Sequence, residues 1–256
     1  MIIVWIYTLG SVLAVSLVSF VGVVGLALNS RRLNQAVFVL VALAAGALFG
    51  DVVLHLLPEI FAGGNFNLLY SLLILVGIGV FFGLEKFLHW RHIHRVENCD
   101  HDHPEIAAPS PLGYLNLVSD GVHNLLDGLV IGASFLSGPA VGLATTIAVI
   151  LHEIPQEIGD FGVLIQAGFS RRRALWFNFL SAALAIIGAA IALIAGAPSE
   201  KLSLALLALA AGGFLYIAGS DLVPELHKTT NPGKSLVQLF ALTLGVSLMF
   251  LLTFIE

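Results

Sequence analysis

Eight apolar stretches, each long enough to cross a membrane, restrict this chain to one broad class of fold. An α-helix crosses the roughly 30 Å hydrocarbon core of a bilayer with about 20 mainly apolar residues. The predicted spans are residues 2–28, 34–58, 66–88, 113–136, 140–167, 174–196, 202–226 and 235–255. The chain is 58% hydrophobic and 11% charged, whereas a soluble domain has about 25% charged residues. The sequence therefore predicts an all-α polytopic membrane protein, with residues 1–256 forming a single transmembrane domain in the lipid bilayer.

The basic residues predict how these spans are oriented. Ten of the eleven Lys and Arg residues lie on one side if eight spans alternate in direction, and Lys201 lies on the other. Since Lys and Arg are enriched in cytoplasmic loops, this side is predicted to be the cytoplasm and both termini extracytoplasmic. Residues 1–10 contain no Lys or Arg, so they are assigned to the first span and not to a cleaved signal peptide. The sequence has no long basic run, which argues against nucleic-acid binding.

Span four carries polar residues at a depth where they are costly. Asp120, His123, Asn124 and Asp127 are spaced i, i+3, i+4 and i+7, which places them on one helix face. A charged side chain at the bilayer centre costs about 2.5–3.5 kcal/mol on insertion scales, so such groups normally face a protein interior and act there. Span four is therefore predicted to turn this face towards the protein interior.

Span five carries a second polar set around a proline. The set comprises His152, Glu153, Gln156, Glu157 and Asp160. The first and third of these share a helix face at i, i+4, and the other three run along the adjacent stripe. Pro155 removes a backbone donor and clashes with the carbonyl one turn earlier, so a kink is expected there.

Together the two sets predict a metal site between helices four and five. Histidine, aspartate, glutamate and asparagine are ligands of a borderline divalent ion such as zinc. Four ionisable groups exceed what hydrogen bonding between packed helices requires; they are His123, Asp127, His152 and Glu153. Three further acids are interpreted as lining the metal pathway or orienting the ligands; they are Asp120, Glu157 and Asp160. Neutral polar residues of the spans are assigned to helix–helix hydrogen bonding, among them Ser119, Asn178 and Ser181.

Spans two and seven end in similar acidic segments around a proline. The segments are DVVLHLLPE at residues 51–59 and DLVPEL at residues 221–226. Asp51, Asp221 and Glu225 are interpreted as further candidates for the metal pathway, because acids inside a span are seldom without a function.

One long polar segment separates spans three and four, at about residues 89–111. It contains His89, His92, His94, Cys99, His101 and His103. Tracts rich in His and Cys suggest metal binding, and the segment is interpreted as a cytoplasmic metal-collecting loop, with a merely polar linker as the open alternative. Cys99 is the only cysteine, which excludes a disulfide within the chain.

Several of these motifs resemble a known family. HNLLDG at 123–128 and HEIPQEIGD at 152–160 resemble the paired signature helices of the ZIP (Zrt/Irt-like) divalent metal transporters. The second motif is similar to that of the subfamily whose fifth helix carries HExPxExGD. Further segments also resemble that subfamily in the same order along the chain: GDVVLHLLPE, FFGLEK, LNLVSDGVHN and GGFLYIAGSDLVPEL.

The resemblance implies a ZIP-type fold of eight helices with both termini outside and a metal site between helices four and five. The ligand positions it implies are His123, Asn124, Asp127, His152, Glu153 and Gln156, with His55 of helix two as a contributor. Gln156 departs from the family, which places His or Glu there, and a neutral amide is a weaker ligand. Many animal members carry a long His-rich extracytoplasmic domain. Its absence from this sequence favours a minimal microbial protein, expected in a bacterial inner membrane.

The function implied by the resemblance is transport of zinc into the cytoplasm, with one helix bundle sliding against another. Fe²⁺, Mn²⁺ and Cd²⁺ stay open as substrates because the same ligands bind them. The metal is expected as the transported substrate, with no cofactor, and homodimerisation stays open. Two alternatives are a metal sensor and an enzyme, because HEIPQ resembles the HExxH helix of intramembrane metalloproteases. Gln156 stands at the second histidine of that motif, which disfavours the enzyme.

Overall fold

The computed structural model describes residues 2–22, 30–62, 67–96, 111–196 and 200–254, and no strand occurs in them. Their helical segments join end to end into eight rods, α1–α8, close to the predicted bounds. The rods are α1 (Ile2–Val18, then a 3₁₀ turn Ser19–Val21), α2 (Ser30–Asp51, Val52–Leu56 and Leu57–Ile60), α3 (Leu68–Val96), α4 (Pro111–Ser137), α5 (Pro139–Gln166), α6 (Arg171–Ala182 and Leu184–Gly196), α7 (Glu200–Tyr216, Ile217–Leu222 and Val223–His227) and α8 (Pro232–Leu252).

Helix length and apolar composition support a multi-span membrane protein. Within the described ranges, five helices are long and apolar enough to cross a membrane: Ile2–Val21, Gln35–Ile60, Arg171–Gly196, Lys201–His227 and Pro232–Leu252. A shorter apolar helix covers Leu68–Leu84. α4 and α5 are 27 and 28 residues long, about 40 Å at 1.5 Å per residue, but polar residues interrupt them. The all-helical membrane architecture is confirmed, while the count of eight spans and the position of the termini stay predictions.

The eight rods pack as two groups of four. α1, α4, α5 and α6 contact one another extensively and form the first bundle. α2, α3, α7 and α8 form the second bundle. The bundles meet mainly where α2 packs on α5 and α7 packs on α4, so the two helices with the polar sets face the second bundle.

Reciprocal glycines allow the closest helix pairs to approach each other. A Cβ at Gly128 of α4 would lie 1.9 Å from the carbonyl oxygen of Ala185 of α6, and one at Gly188 of α6 would lie 1.9 Å from that of Leu125. Two further pairs are related in the same way, Gly46 with Gly245 between α2 and α8, and Gly77 with Gly212 between α3 and α7. Small residues let backbones approach where lipid supplies no hydrophobic driving force.

Two of the three prolines inside spans follow a π-helical turn. Val52–Leu56 of α2 and Ile217–Leu222 of α7 are such turns, just before Pro58 and Pro224. Proline donates no backbone hydrogen bond, and a π turn changes the bonding register next to that gap. α5 remains α-helical from Pro139 to Gln166 across Pro155.

The polar segment before span four begins as helix. α3 continues to Val96, so His89, His92 and His94 lie on its last turns and not in a loop as expected. The reason is that residues 84–96 contain no Gly or Pro, so no residue there breaks a helix. Cys99, His101 and His103 lie outside the described residues, and the metal-collecting loop stays a prediction.

Candidate metal centre

Four side chains from α4 and α5 converge at one point, hereafter the four-residue centre. They are His123 and Asp127 of α4 and His152 and Glu153 of α5, and one ligand atom from each lies within 4.8 Å of the others. Nε2 of His152 is 3.2 Å from Oδ2 of Asp127 and 3.4 Å from Oε1 of Glu153. The two Nε2 atoms are 3.3 Å apart. These are the four residues for which the sequence predicts a role beyond helix packing.

These separations match the edges of a tetrahedral zinc site. Zinc lies about 2.0–2.2 Å from nitrogen and oxygen ligands, so ligand atoms in a tetrahedron are about 3.3–3.6 Å apart. Nε2 of His123 is 3.7 Å from Oδ2 of Asp127 and 3.6 Å from Oε1 of Glu153. An ion could therefore bind all four atoms with only small adjustments of the side chains.

Burial and charge also suit a divalent cation. Asp127 and Glu153 are fully buried, and none of their four carboxylate oxygens accepts a hydrogen bond from the described residues. Buried carboxylates are costly unless they are paired or bind metal. Two carboxylates with two neutral imidazoles carry the charge that one divalent ion cancels.

The imidazole of His152 is held in an orientation that suits a ligand. Its Nδ1 is 3.3 Å from the carbonyl oxygen of Ala148, one turn earlier on α5. Donation from Nδ1 to that carbonyl leaves the Nε2 lone pair directed at the centre, the arrangement usual for metal-binding histidines. Phe214 of α7, which is fully buried, packs edge-on against the same ring at 6.0 Å. The second bundle thus covers His152 with an apolar group.

α6 contributes polar partners for which the sequence predicts only helix packing. The hydroxyl of Ser181 donates to Oδ2 of Asp120, and the amide of Asn178 donates to Oε2 of Glu157. Glu157 is fully buried and its Oε1 has no partner among the described residues. Because these donors come from a neighbouring helix, spacing within α4 and α5 could not reveal them.

The pathway candidates on α4 and α5 are also paired. Nδ2 of Asn124 donates to Oδ1 of Asp120 at 2.8 Å, and Nδ2 of Asn116 donates to Oδ1 of Asp160 at 2.9 Å. The side chain of Gln156 carries no charge, and it faces a cavity.

That cavity connects the centre with one end of the molecule. It has a volume of about 240 Å³ and lies between the two bundles. Polar residues line it at His123, Asn116, Asp120, Gln156, Asp160 and Asp221. His123 is 17% exposed while the other three members of the centre are at most 1% exposed, so His123 is the side of the centre nearest to the cavity. The cavity extends towards the start of α4 and the ends of α5 and α7, the side predicted to be cytoplasmic.

Two further candidates, His55 and Asp51, lie away from the centre. Nε2 of His55 is 3.0 Å from the carbonyl oxygen of Met249 of α8, so the π turn of α2 directs it into the second bundle. The structure does not bring His55 to the centre, contrary to the expectation from the resemblance. Asp51 is buried and accepts from the hydroxyl of Thr145 at 3.4 Å.

Glu225 lies at the protein surface. Its carboxylate forms an ion pair with Lys228 one turn later, and both side chains are at least half exposed. A surface pair of this kind does not line a pathway through the protein.

Comparison with known proteins identifies the family. The family model described as ZIP Zinc transporter matches residues 91–253. Zinc transporter ZIP13 of Pongo abelii is 36% identical over 226 residues, which are 83% of this chain and 65% of that protein. Zinc transporter zipt-7.1 of Caenorhabditis briggsae is 31% identical over 314 residues, 99% of this chain and 80% of that protein. Zinc transporter SLC39A7 of Rattus norvegicus is 29% identical over 340 residues, 98% of this chain and 73% of that protein.

These findings confirm the resemblance drawn from the motifs, although they do not test the subfamily. They favour a transporter over an intramembrane metalloprotease, since the relatives are named as transporters. They also make a divalent metal a transported substrate and not a cofactor. The family match covers more than half of the sequence, and the chain belongs to the ZIP family of zinc transporters.

Proposed function

We propose that this chain moves zinc across a membrane into the cytoplasm through the four-residue centre. The observation that carries the proposal is the buried group of two imidazoles and two carboxylates without hydrogen-bond donors, at tetrahedral spacing. Family membership supplies the reaction class, and the geometry supports four residues as the ligands: His123, Asp127, His152 and Glu153.

The ligand set suits a transported ion. Transport requires binding strong enough for entry and weak enough for release. Imidazole and carboxylate hold zinc less tightly than thiolates do, and no described cysteine lies near the centre because Cys99 is the only cysteine. Iron(II), manganese and cadmium use overlapping ligands, and they remain the alternative substrates.

The proposed direction is into the cytoplasm. The cavity links His123 to the end of the molecule where Arg171, Arg172 and Arg173 begin α6. Loops rich in Arg and Lys stay on the cytoplasmic side, so a cavity on this side supports release of the ion there. Sliding of the first bundle, which carries the centre, against the second would expose the ion to the other side.

The proposed location is a membrane that the chain crosses several times. A multi-pass membrane protein agrees with the apolar helices. The bacterial inner membrane stays a proposal, and the relatives named above are animal proteins and give it no support. A homodimer is compatible with the exposed apolar helix faces, but so is lipid contact alone.

Zinc uptake by proteoliposomes tests this function. Purified protein is reconstituted, radiolabelled zinc is added outside, and uptake is compared for wild type, His123→Ala, Glu153→Ala and the surface control Glu225→Gln. Wild type and the control are expected to accumulate zinc, whereas the two centre variants should not. Wild-type uptake in either centre variant would remove that residue from the site, and no uptake in wild type would refute zinc transport. Unlabelled iron, manganese and cadmium added as competitors rank the alternative substrates.

A further inference from the structure

The amide of Asn124 is anchored by its nitrogen and leaves its oxygen without a partner. Nδ2 donates to the backbone carbonyl oxygen of Asp120 at 3.1 Å and to its Oδ1 at 2.8 Å. Oδ1 of Asn124 is buried and accepts no hydrogen bond from any described residue. Asn124 is adjacent to His123 and one turn before Asp127, on the helix face that carries the four-residue centre.

The orientation of this amide follows from its neighbours. The nitrogen and oxygen of an asparagine side chain are assigned from the hydrogen-bond network. Both Asp120 atoms are acceptors, so only the NH₂ group satisfies them. The opposite orientation would place the Asn124 oxygen against two other oxygens, and the carbonyl is therefore directed away from Asp120.

Asp120 is itself held from another helix. Its Oδ2 accepts from the hydroxyl of Ser181 on α6, and Ser181 also contacts the backbone carbonyls of Phe177 and Asn178 of its own helix. Asp120 and Ser181 are 4% and 6% exposed. A buried carboxylate with a donor on each oxygen has little freedom to rotate, so Ser181 fixes the group that fixes Asn124.

Resting on the proposed function, we propose that Ser181 and Asp120 are positioning residues that present the Asn124 oxygen as a neutral ligand to the transported cation. A buried carbonyl oxygen without a donor is costly, and a cation removes that cost. The amide adds an oxygen to the two imidazoles and two carboxylates without adding charge. The chain of contacts runs from Ser181 of α6 through Asp120 to Asn124 of α4, so a change at Ser181 is expected to reach the ion through Asn124.

Zinc titration calorimetry on the purified full-length protein tests this inference. The variants are Ser181→Ala, Ser181→Thr, Asn124→Ala and the double variant Ser181→Ala/Asn124→Ala. The matched control is Ser16→Ala, which removes another buried hydroxyl at the α6 interface, one that donates to the carbonyl of Ala182 and does not touch Asp120. Size-exclusion profiles and thermal melts verify that each variant is folded.

The expected result is a specific pattern of affinities. Loss of an outer hydrogen-bond partner typically weakens metal binding about 10–100-fold, and Ser181→Ala should weaken zinc by about tenfold. Ser181→Thr keeps a hydroxyl and should recover most of the affinity, and Ser16→Ala should match wild type. The double variant should bind no more weakly than Asn124→Ala alone, because both changes remove the same interaction.

Two outcomes would overturn the inference. Wild-type affinity in Ser181→Ala would show that the hydroxyl does not position a ligand, and multiplied effects in the double variant would show that it acts independently of Asn124. If Ser181→Ala does not fold, Asp120→Asn gives the same test, because it keeps the side-chain shape and removes one acceptor. Failure of wild type to bind zinc would refute the proposed function as well, and this result is distinct from both others.

Discussion

At the scale of single residues, the buried carboxylates decide what the centre can bind. Asp127 and Glu153 have no hydrogen-bond donors among the described residues, so their negative charge is offset only by neighbouring imidazoles or by a bound ion. A neutral amide of the same shape carries no charge that an imidazole or an ion must offset. The charge of each carboxylate, and not its volume, is therefore the property that a metal requires.

The first prediction isolates that charge. Glu153→Gln keeps the size of the side chain and removes one of the two carboxylates, so zinc affinity should fall by more than the roughly 10–100-fold that loss of an outer partner costs. Thermal stability without metal should stay equal or rise, because the variant removes a buried carboxylate that accepts no hydrogen bond. Calorimetry and melting curves measure both, with Glu225→Gln as the charge-matched surface control. Unchanged zinc affinity would exclude Glu153 as a ligand.

The second prediction concerns selectivity at Gln156. Its side chain faces the cavity together with His123 and Asp120, one turn after His152. Imidazole suits zinc better than it suits a hard ion such as manganese. Gln156→His should therefore raise the ratio of zinc affinity to manganese affinity by about tenfold and slow the release of zinc. An effect of this size is what a change to the hydrogen-bond partner of a metal ligand typically has on metal affinity. Parallel titrations with the two metals decide this, and an equal ratio in both proteins would show that position 156 does not touch the ion.

The sequence predicted which side chains share a helix face because their arrangement is set by helical periodicity. Residues at i, i+4 on a helix share a face whatever the fold is, so His123 with Asp127 followed from spacing alone. The structure adds that α4 and α5 pack with these faces together. Ser181 and Asn178 could not be found in this way, because their partners lie on other helices, 61 and 21 residues away in the chain.

At the scale of helices, packing depends on positions that tolerate no side chain. Gly128 and Gly188 let α4 approach α6, and each lacks the Cβ that would contact the partner backbone. α4 carries half of the four-residue centre, so the distance between α4 and α6 also affects the geometry of the centre. Glycine in these spans could be assigned to helix packing from sequence, but its reciprocal pairing requires knowledge of which helices are neighbours.

The third prediction tests one such contact. Gly188→Ala places a methyl group against the carbonyl of Leu125, at a built distance of 1.9 Å, so the helices must separate. Overpacking of this kind costs about 1–3 kcal/mol, and the melting temperature should fall. Gly79→Ala is the matched control on α3, since a Cβ there meets nothing within 4 Å. Equal melting temperatures for the two variants would show that the α4–α6 contact is less tight than described.

Helix ends were predicted less well than helix centres. α3 was expected to end near residue 88 because the chain becomes polar, yet it continues to Val96. Polarity marks where a helix leaves the membrane, whereas a helix ends at a residue that breaks it. Those two positions differ when the sequence after the membrane lacks Gly and Pro, as it does in residues 84–96.

At the scale of the whole molecule, the cavity and the basic residues lie at the same end. α4 begins there, and α3, α5 and α7 end there, close to Arg171–Arg173 and Lys228. The four-residue centre lies about halfway along α4 and α5, so a bilayer spanned by these helices would hold the centre near its middle. The side chains between the centre and this end include acids, while Phe214 covers His152 from the second bundle. This arrangement predicts access to the centre from one side of the membrane.

The last prediction measures that access directly. Ser119 lines the cavity one turn before His123, and replacing Cys99 with serine leaves no other thiol. In that background Ser119→Cys should react with a membrane-impermeant thiol reagent added to the side that also labels Arg172→Cys. The same reagent added to the side that labels Lys201→Cys should leave Ser119→Cys unmodified.

Arg172 and Lys201 are both exposed, so they serve as markers for the two sides in right-side-out and inverted vesicles. Zinc should slow the reaction at position 119, because an ion at His123 occupies the inner end of the same cavity. Labelling of Ser119→Cys from the Lys201 side would place the cavity opening at the opposite end. The single helix α6 separates the two markers, so alternating spans place them on opposite sides of the membrane. Labelling of both markers from one side would therefore refute the alternating arrangement of the spans.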